Sequence, residues 1–229
     1  MKVAIMQPYF FPYLGYFQLI AAVDVFVIYD DVNYINRGWI NRNAILANGQ
    51  PQRINLALGK SSQNLLINQI EVVDTGERLL KTLAQSYGKA PHFNSVFPML
   101  EQVMRYKDRN LGRYLAHLLR LVCDAMGIQT RLITSSSLNK DNSLKAQEKI
   151  LAICQELHAT QYVNSIGGTQ LYEPDAFLAR GMQLSFLQSR SVSYVQFGKA
   201  FTPNLSIIDV LMFNDLAERL RLLAEYDLR

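Results

Sequence analysis

Four short stretches of this sequence hold residues whose types and spacing suit chemistry. The first is Gln7-Pro8-Tyr9-Phe10-Phe11-Pro12-Tyr13-Leu14-Gly15-Tyr16, which follows an apolar run and opens a helical pattern. A glycine such as Gly15 lets backbone approach a ligand closely, and the free N–H groups of a helix start suit an anion. Aromatic rings are more often core, so the competing expectation is a plug closing the end of a sheet. Two prolines and Gln7 among the rings favour a shaped pocket, with Gln7, Pro8, Tyr9, Phe11 and Gly15 holding a cofactor or donor.

The second stretch runs from Asp30 to Asn43 and crowds Asp30, Asp31, Arg37, Trp39, Arg42 and Asn43 together. Arginine forks fix a carboxylate or phosphate through two parallel N–H bonds. Paired aspartates can hold a metal or accept a proton from an amine, and the proton role is the one assigned here, with no metal. Trp39 stacks on a substrate ring or anchors the loop. A solvated loop with an internal Asp–Arg pair is the bland alternative.

Ser165-Ile166-Gly167-Gly168-Thr169 is the third stretch, where glycines and hydroxyls can form an N–H nest for phosphate, with Ser165, Gly167, Gly168 and Thr169 as candidates. A plain turn before a helix fits the same residues. Fourth, Lys89 and His92 flank the Ala90-Pro91 break. Lys89 is a substrate-binding point charge or an ordinary surface lysine, and His92 is the histidine to test as an acid or base. There is no Ser-His-Asp order, zinc spacing or Walker-type loop.

The elements that must position these stretches follow from the apolar pattern. Lys2–Met6 and Val23–Tyr29 read as buried strands around a short helix, Gly15–Ala22. Arg53–Leu58 and Leu65–Val73 are further strand candidates. Residues 76–126 read as a mainly helical insert of three helices. Arg131–Thr134, Gln161–Asn164 and Met182–Leu187 complete the strand series, and Ser143 is expected to cap a helix reaching about His158. The tail from Leu205 to Tyr226 is helical, with a break near Asn214-Asp215. The expectation is a single α/β domain over residues 1–229 with an open, mostly parallel, Rossmann-like sheet and a helical insertion. Ligands then bind outside the carboxyl ends of the strands, so the polar stretches should line one concave site with Arg37 or Arg42 pointing into it.

Composition sets bounds on partners. With 229 residues, 49% hydrophobic and 18% charged, the chain is long enough for a packed core. Its net charge of +4 comes from interspersed residues, which suits a phosphorylated small molecule better than nucleic acid. Cys123 and Cys154 share no ligand spacing and read as reduced core residues. The N-terminus lacks a signal-peptide pattern and no stretch is long enough to span a bilayer, so a cytoplasmic location without membrane insertion is expected.

The stretch Gln7-Pro-Tyr-Phe-Phe-Pro-Tyr-Leu-Gly-Tyr-Phe17 closely resembles the opening of the WbqC-like proteins. Arg37-Gly-Trp-Ile-Asn-Arg-Asn43, Tyr87-Gly-Lys-Ala-Pro-His-Phe93 and Leu205-Ser-Ile-Ile-Asp-Val-Leu-Met-Phe-Asn214 support the same resemblance. It implies a part in assembling bacterial surface polysaccharides such as O-antigen, where some such proteins look like transferases that attach an amino acid or acyl group to an amino sugar. A fainter resemblance is to nucleotidyltransferase-like α/β enzymes, which place His-x-Gly-His after the first strand. Tyr13-Leu14-Gly15-Tyr16 holds that position here with tyrosines in place of both histidines, which argues against ordinary adenylyl transfer. The expectation is therefore an amide-forming transferase or ligase, such as one moving glycine onto an amino sugar or sugar nucleotide, with ATP or another nucleotide as cofactor. The alternative is a nucleotide- or sugar-nucleotide-binding protein without catalysis.

Overall fold

A computed structural model describes residues 1–198 and 200–229. Strands β1 (Lys2–Met6) and β2 (Val25–Ile28) pair in parallel, Val3 opposite Val25 and Met6 opposite Ile28, with helix α1 (Leu14–Ala21) between them in the chain. Side chains alternate across a strand. Val3, Ile5, Val25 and Val27 therefore join one apolar cluster, and Ala4, Phe26 and Ile28 join the other. Burial on both faces explains why these strands read as continuous apolar runs.

The main sheet has six strands in the order β5 (Arg131–Thr134), β2, β1, β6 (Gln161–Ser165), β7 (Gln183–Ser189) and β8 (Tyr226–Leu228). Strands β5, β6 and β7 extend it in parallel on either side of β1 and β2. One face carries α1, helix α4 (Leu111–Met126) and helix α8 (Leu216–Leu223), and the other carries helices α5 (Ala146–Glu156) and α6 (Pro174–Leu178). Helices α2 (Glu77–Tyr87) and α3 (Phe93–Met104) precede α4 between β2 and β5, and α7 (Ile207–Phe213) precedes α8. Cys123 and Cys154 are free and buried, and burial pushes each thiol up to about 12. Among the described residues, no helix is long and apolar enough to cross a membrane.

Four local expectations are corrected. The polar run expected to stay loop as far as Asn43 already contains the start of β3 (Arg42–Ala47), which forms an antiparallel hairpin with β4 (Gln50–Asn55), so the strand expected over 53–58 begins and ends earlier. Residues 65–73 have no continuous partner strand; they form a 3-10 turn at Ile67–Gln69, held by isolated bridges from Asn33 to Leu66 and from Leu58 to Val72. Ser143 caps no helix, because its N–H and hydroxyl both bond Asp141 Oδ1, at 2.8 and 2.7 Å, and α5 starts only at Ala146. The strand series does not close at 187. Strand β8 (Tyr226–Leu228) adds antiparallel to β7, and Phe186 and Arg229 exchange main-chain bonds of 2.7 and 2.9 Å.

Candidate functional site

Parallel strands share their carboxyl ends, so the chain segments leaving β1, β2, β5, β6 and β7 all emerge on one rim. From β1 the chain turns towards β2, whereas from β6, the other neighbour of β1, it turns away to β7. Adjacent strands whose connections leave in opposite directions open a crevice between them. The segments flanking this crevice are Gln7–Tyr16 and Ser165–Thr169.

The Gln7–Tyr16 segment divides into plug and wall. Phe10 and Phe11 are fully buried, and Phe11 takes a positive φ of 45°. The buried Asn43 side chain holds that bend, its Nδ2 donating to the carbonyls of Phe10 and Phe11 at 3.1 and 2.6 Å. The Phe10 N–H donates to the Trp39 carbonyl at 3.2 Å, so this segment and the Asp30–Asn43 segment are stitched together. Pro8 and Gly15 are buried and Gln7 half-buried, its carbonyl accepting the Tyr16 hydroxyl at 2.9 Å. A Cβ on Gly15 would lie 2.5 Å from the Tyr13 ring and 2.7 Å from Ser189 Oγ, so the glycine allows helix α1 to start against β7.

Tyr9, Pro12, Tyr13, Trp39, Asn43 and Asn204 enclose an aromatic recess of about 360 Å³. Trp39 is 55% exposed, with the Arg42 guanidinium 5.9 Å from its ring centroid. Arg42 Nε donates to the Gly38 carbonyl at 2.7 Å, while Arg37 is exposed with φ 60°; neither guanidinium lines this recess. Burial raises the Tyr9 and Tyr13 phenols above their ordinary value, with Tyr13 adding to the effect on Tyr9, so both stay protonated. Tyr13 and Asn204 also line a neighbouring hollow of about 410 Å³ that reaches Ser189 and Tyr194.

A second recess, of about 690 Å³, lies beyond the ends of β2 and β5. Its wall includes Tyr29, Asp31, Asn68, Ser136, Lys145 and Lys149. Asp30 is turned away into structure, accepting the Ser136 N–H at 3.0 Å and the Ser136 hydroxyl at 2.6 Å. Asp31 Oδ2 sits 2.8 Å from Lys140 Nζ and 3.3 Å from Lys149 Nζ. Burial alone would raise this carboxyl, but the ammonium groups of Lys140 and Lys149 against it outweigh that and hold Asp31 below the ordinary carboxylate range. A carboxylate so stabilised is a weak proton acceptor.

The remaining sequence candidates lie apart from both recesses. The Gly167–Gly168 turn is on the rim but lines neither; Gly167 and Thr169 are exposed and Ser165 half-buried. Gly168 packs against Asn164, whose Nδ2 would be 2.6 Å from an added Cβ, so close backbone approach requires glycine there. Lys89 is exposed. His92 precedes α3, with its N–H on the Met212 carbonyl at 3.1 Å. Helix α7 begins beside Pro12, whose carbonyl accepts the Ile207 N–H at 2.9 Å, and ends beside His92. Its seven residues therefore separate His92 from the aromatic recess by roughly 10 Å.

Lys140, Lys145 and Lys149 were not singled out from the sequence. Asn204, reached from the far end of the chain, was also missed. Lys145, just before α5, and Lys149, within it, are spaced i and i+4 in the sequence, a spacing common on helix faces. That signal resembles any solvated helix until the loop after β2 is folded against it. Among the described residues, no group of three or more His, Cys, Asp or Glu side chains converges as a metal site.

The family model of the WbqC-like protein family matches residues 7–220. An uncharacterized protein of Mycobacterium tuberculosis strain ATCC 25618 / H37Rv is 31% identical over 222 residues, covering 95% of each chain. No solved structure matches. The family match takes in the whole rim, from Gln7 through the lysine-lined recess to α7, and the chain belongs to the WbqC-like protein family.

Proposed function

We propose that this protein forms an amide on an amino sugar or sugar nucleotide, in the assembly of a surface polysaccharide. The observation that carries this reading is the crevice between β1 and β6, which places the Gln7–Tyr16 segment and the Ser165–Thr169 turn at one carboxyl rim. Counted along the chain, the five parallel strands run in the order 3-2-1-4-5, the order of the Rossmann-like folds that bind nucleotides at this position. In this reading donor phosphate lies between the α1 start and the Gly167–Gly168 turn, and a sugar or base ring enters the aromatic recess against Tyr9 and Trp39. The amine nitrogen attacks the carbonyl of an acyl phosphate, the C–O bond to phosphate breaks with its electron pair leaving on oxygen, and the departing phosphate takes up the proton that the nitrogen gives up. Holding the two reactants in place supplies much of the acceleration such a step needs. The protonated Tyr9 and Tyr13 hydroxyls, on the recess wall, are donors for the developing oxyanion.

A second reading, binding without turnover, is favoured by one observation. Among the described residues, neither recess is lined by a histidine or by a carboxylate free of protein partners. Incubation of the protein with ATP, glycine and an amino-sugar nucleotide, followed by mass spectrometry, separates the two. A product heavier by one glycyl residue supports transfer; saturable binding of the nucleotides with every acceptor unchanged supports the second reading.

A further inference from the structure

The recess beside α5 has the build of an anion site. The charged groups on its wall are Lys145, Lys149 and Asp31, which sum to one positive charge. Behind them lie Lys140, paired to Asp31, and Asp30, satisfied by Ser136, and these two cancel. The ammonium side chains of Lys140 and Lys149 are only 1% and 7% exposed, and the Asp31 carboxylate 9%. Lys140 and Lys149 share the Asp31 carboxylate, so the uncompensated positive charge of this set is that of Lys145, which is exposed on the recess wall that Lys149 also lines. Lys149 is also fixed in direction, by the Asp31 carbonyl at 2.8 Å and by the Tyr29 ring, whose centroid is 5.4 Å away.

Helix α5 adds to the same field. Its N-cap, Lys145, makes no side-chain cap bond, and Lys145 and Ala146 both border the recess. The first-turn N–H groups and the positive end of the helix dipole therefore accompany the lysine charges. A lysine pair with a helix start matches phosphoryl oxygens, and the volume of about 690 Å³ leaves room for more than one phosphoryl group.

We infer that the recess between the β2 and β5 loops and the start of α5 is a binding site for a diphosphate group, with Lys145 and Lys149 as its cationic ligands. The site is separate from the aromatic recess. It rests on the amide-forming reading only for the suggestion that the diphosphate belongs to a sugar nucleotide.

Calorimetric titration of the full chain with inorganic pyrophosphate tests the site, with a UDP-linked amino sugar as a second ligand. The expected result is saturable one-site binding that weakens at least tenfold in Lys145→Ala, a change at an exposed position that leaves the buried pairs intact. Lys149→Met, which leaves Lys140 on Asp31, should weaken it further. Lys107→Ala removes the same charge from an exposed site elsewhere and should change the affinity less than twofold. Absence of pyrophosphate binding, or equal losses in Lys145→Ala and Lys107→Ala, would overturn the site. Parallel losses for both ligands support a nucleotide-linked source, and binding of pyrophosphate alone supports a free one. Intact pyrophosphate binding with no amide product would remove the catalytic reading and leave this one standing.

Discussion

The hydroxyl of Tyr87 donates to Asp209 Oδ2 at 2.9 Å and accepts the Leu46 N–H at 2.9 Å, joining α2, α7 and β3 at one buried oxygen. Asp209 is fully buried; its other oxygen accepts Tyr194 at 2.8 Å and Gln196 at 2.6 Å. This carboxylate ties the segment carrying Asn204 to the helices behind the aromatic recess.

Tyr87→Phe leaves the Leu46 N–H and one carboxylate oxygen without their partner. The expected loss is about 1–3 kcal/mol, the cost of stranding buried polar groups. Urea unfolding should show a lower midpoint at unchanged slope. An unchanged midpoint would mean that water replaces the hydroxyl.

Asp31 gives the fold an acid-labile component. Its folded pKa is depressed, because lysine hydrogen bonds and charges overcome the burial that would raise it. The stabilisation is complete above the unfolded value of about 3.9 and is lost as pH falls through the lower folded value. Asp31→Asn should remove that part of the acid dependence. At neutral pH it should also cost about 3–5 kcal/mol, since it strands two buried ammonium groups. Thermal unfolding of both proteins from pH 2 to 7 checks the sign: their difference should shrink towards low pH.

Asn43→Ala removes both bonds that hold the Phe10–Phe11 bend. A loss of about 1–3 kcal/mol is expected, with faster amide exchange confined first to residues 9–12. Exchange that speeds up evenly across the sheet would show that Asn43 supports the whole fold instead of the bend.

The paired strands β1 and β2 were readable because burial on both faces leaves uninterrupted apolar runs such as Val25–Ile28. The rim position of Gln7, Asp31 and Ser165 followed, since each comes at or directly after a parallel strand. The β3–β4 hairpin hid behind polar residues such as Arg42 and Gln52. Yet Asn48-Gly49, both with positive φ at 52° and 74°, is a strong two-residue hairpin signal. The partners of Asp31 were not legible. Lys149 lies 118 positions away along the chain, and no local pattern separates it from a solvated helix lysine.

Gly15→Ala should act on the recess more than on the core. The added methyl would meet Tyr13 and Ser189, and Tyr13 borders both the aromatic recess and its neighbour. Overpacking of this kind costs about 1–3 kcal/mol. A thermal shift on adding a sugar nucleotide should be smaller than in the unmodified protein, beyond the drop in the unliganded midpoint.

Trp39 stands on the wall of the aromatic recess at the carboxyl rim, where the ligand is expected to bind. Trp39 is the sole tryptophan and is 55% exposed, so its emission reports on this recess alone. The most direct measurement is its fluorescence during titration with UDP-, CDP-, GDP- and TDP-linked amino sugars, repeated in Tyr9→Ala. A ligand site at this recess requires a saturable change with at least one ligand, weakened about tenfold or more when Tyr9 is removed. Emission unmoved by all four ligands, or a titration identical in Tyr9→Ala, would contradict it.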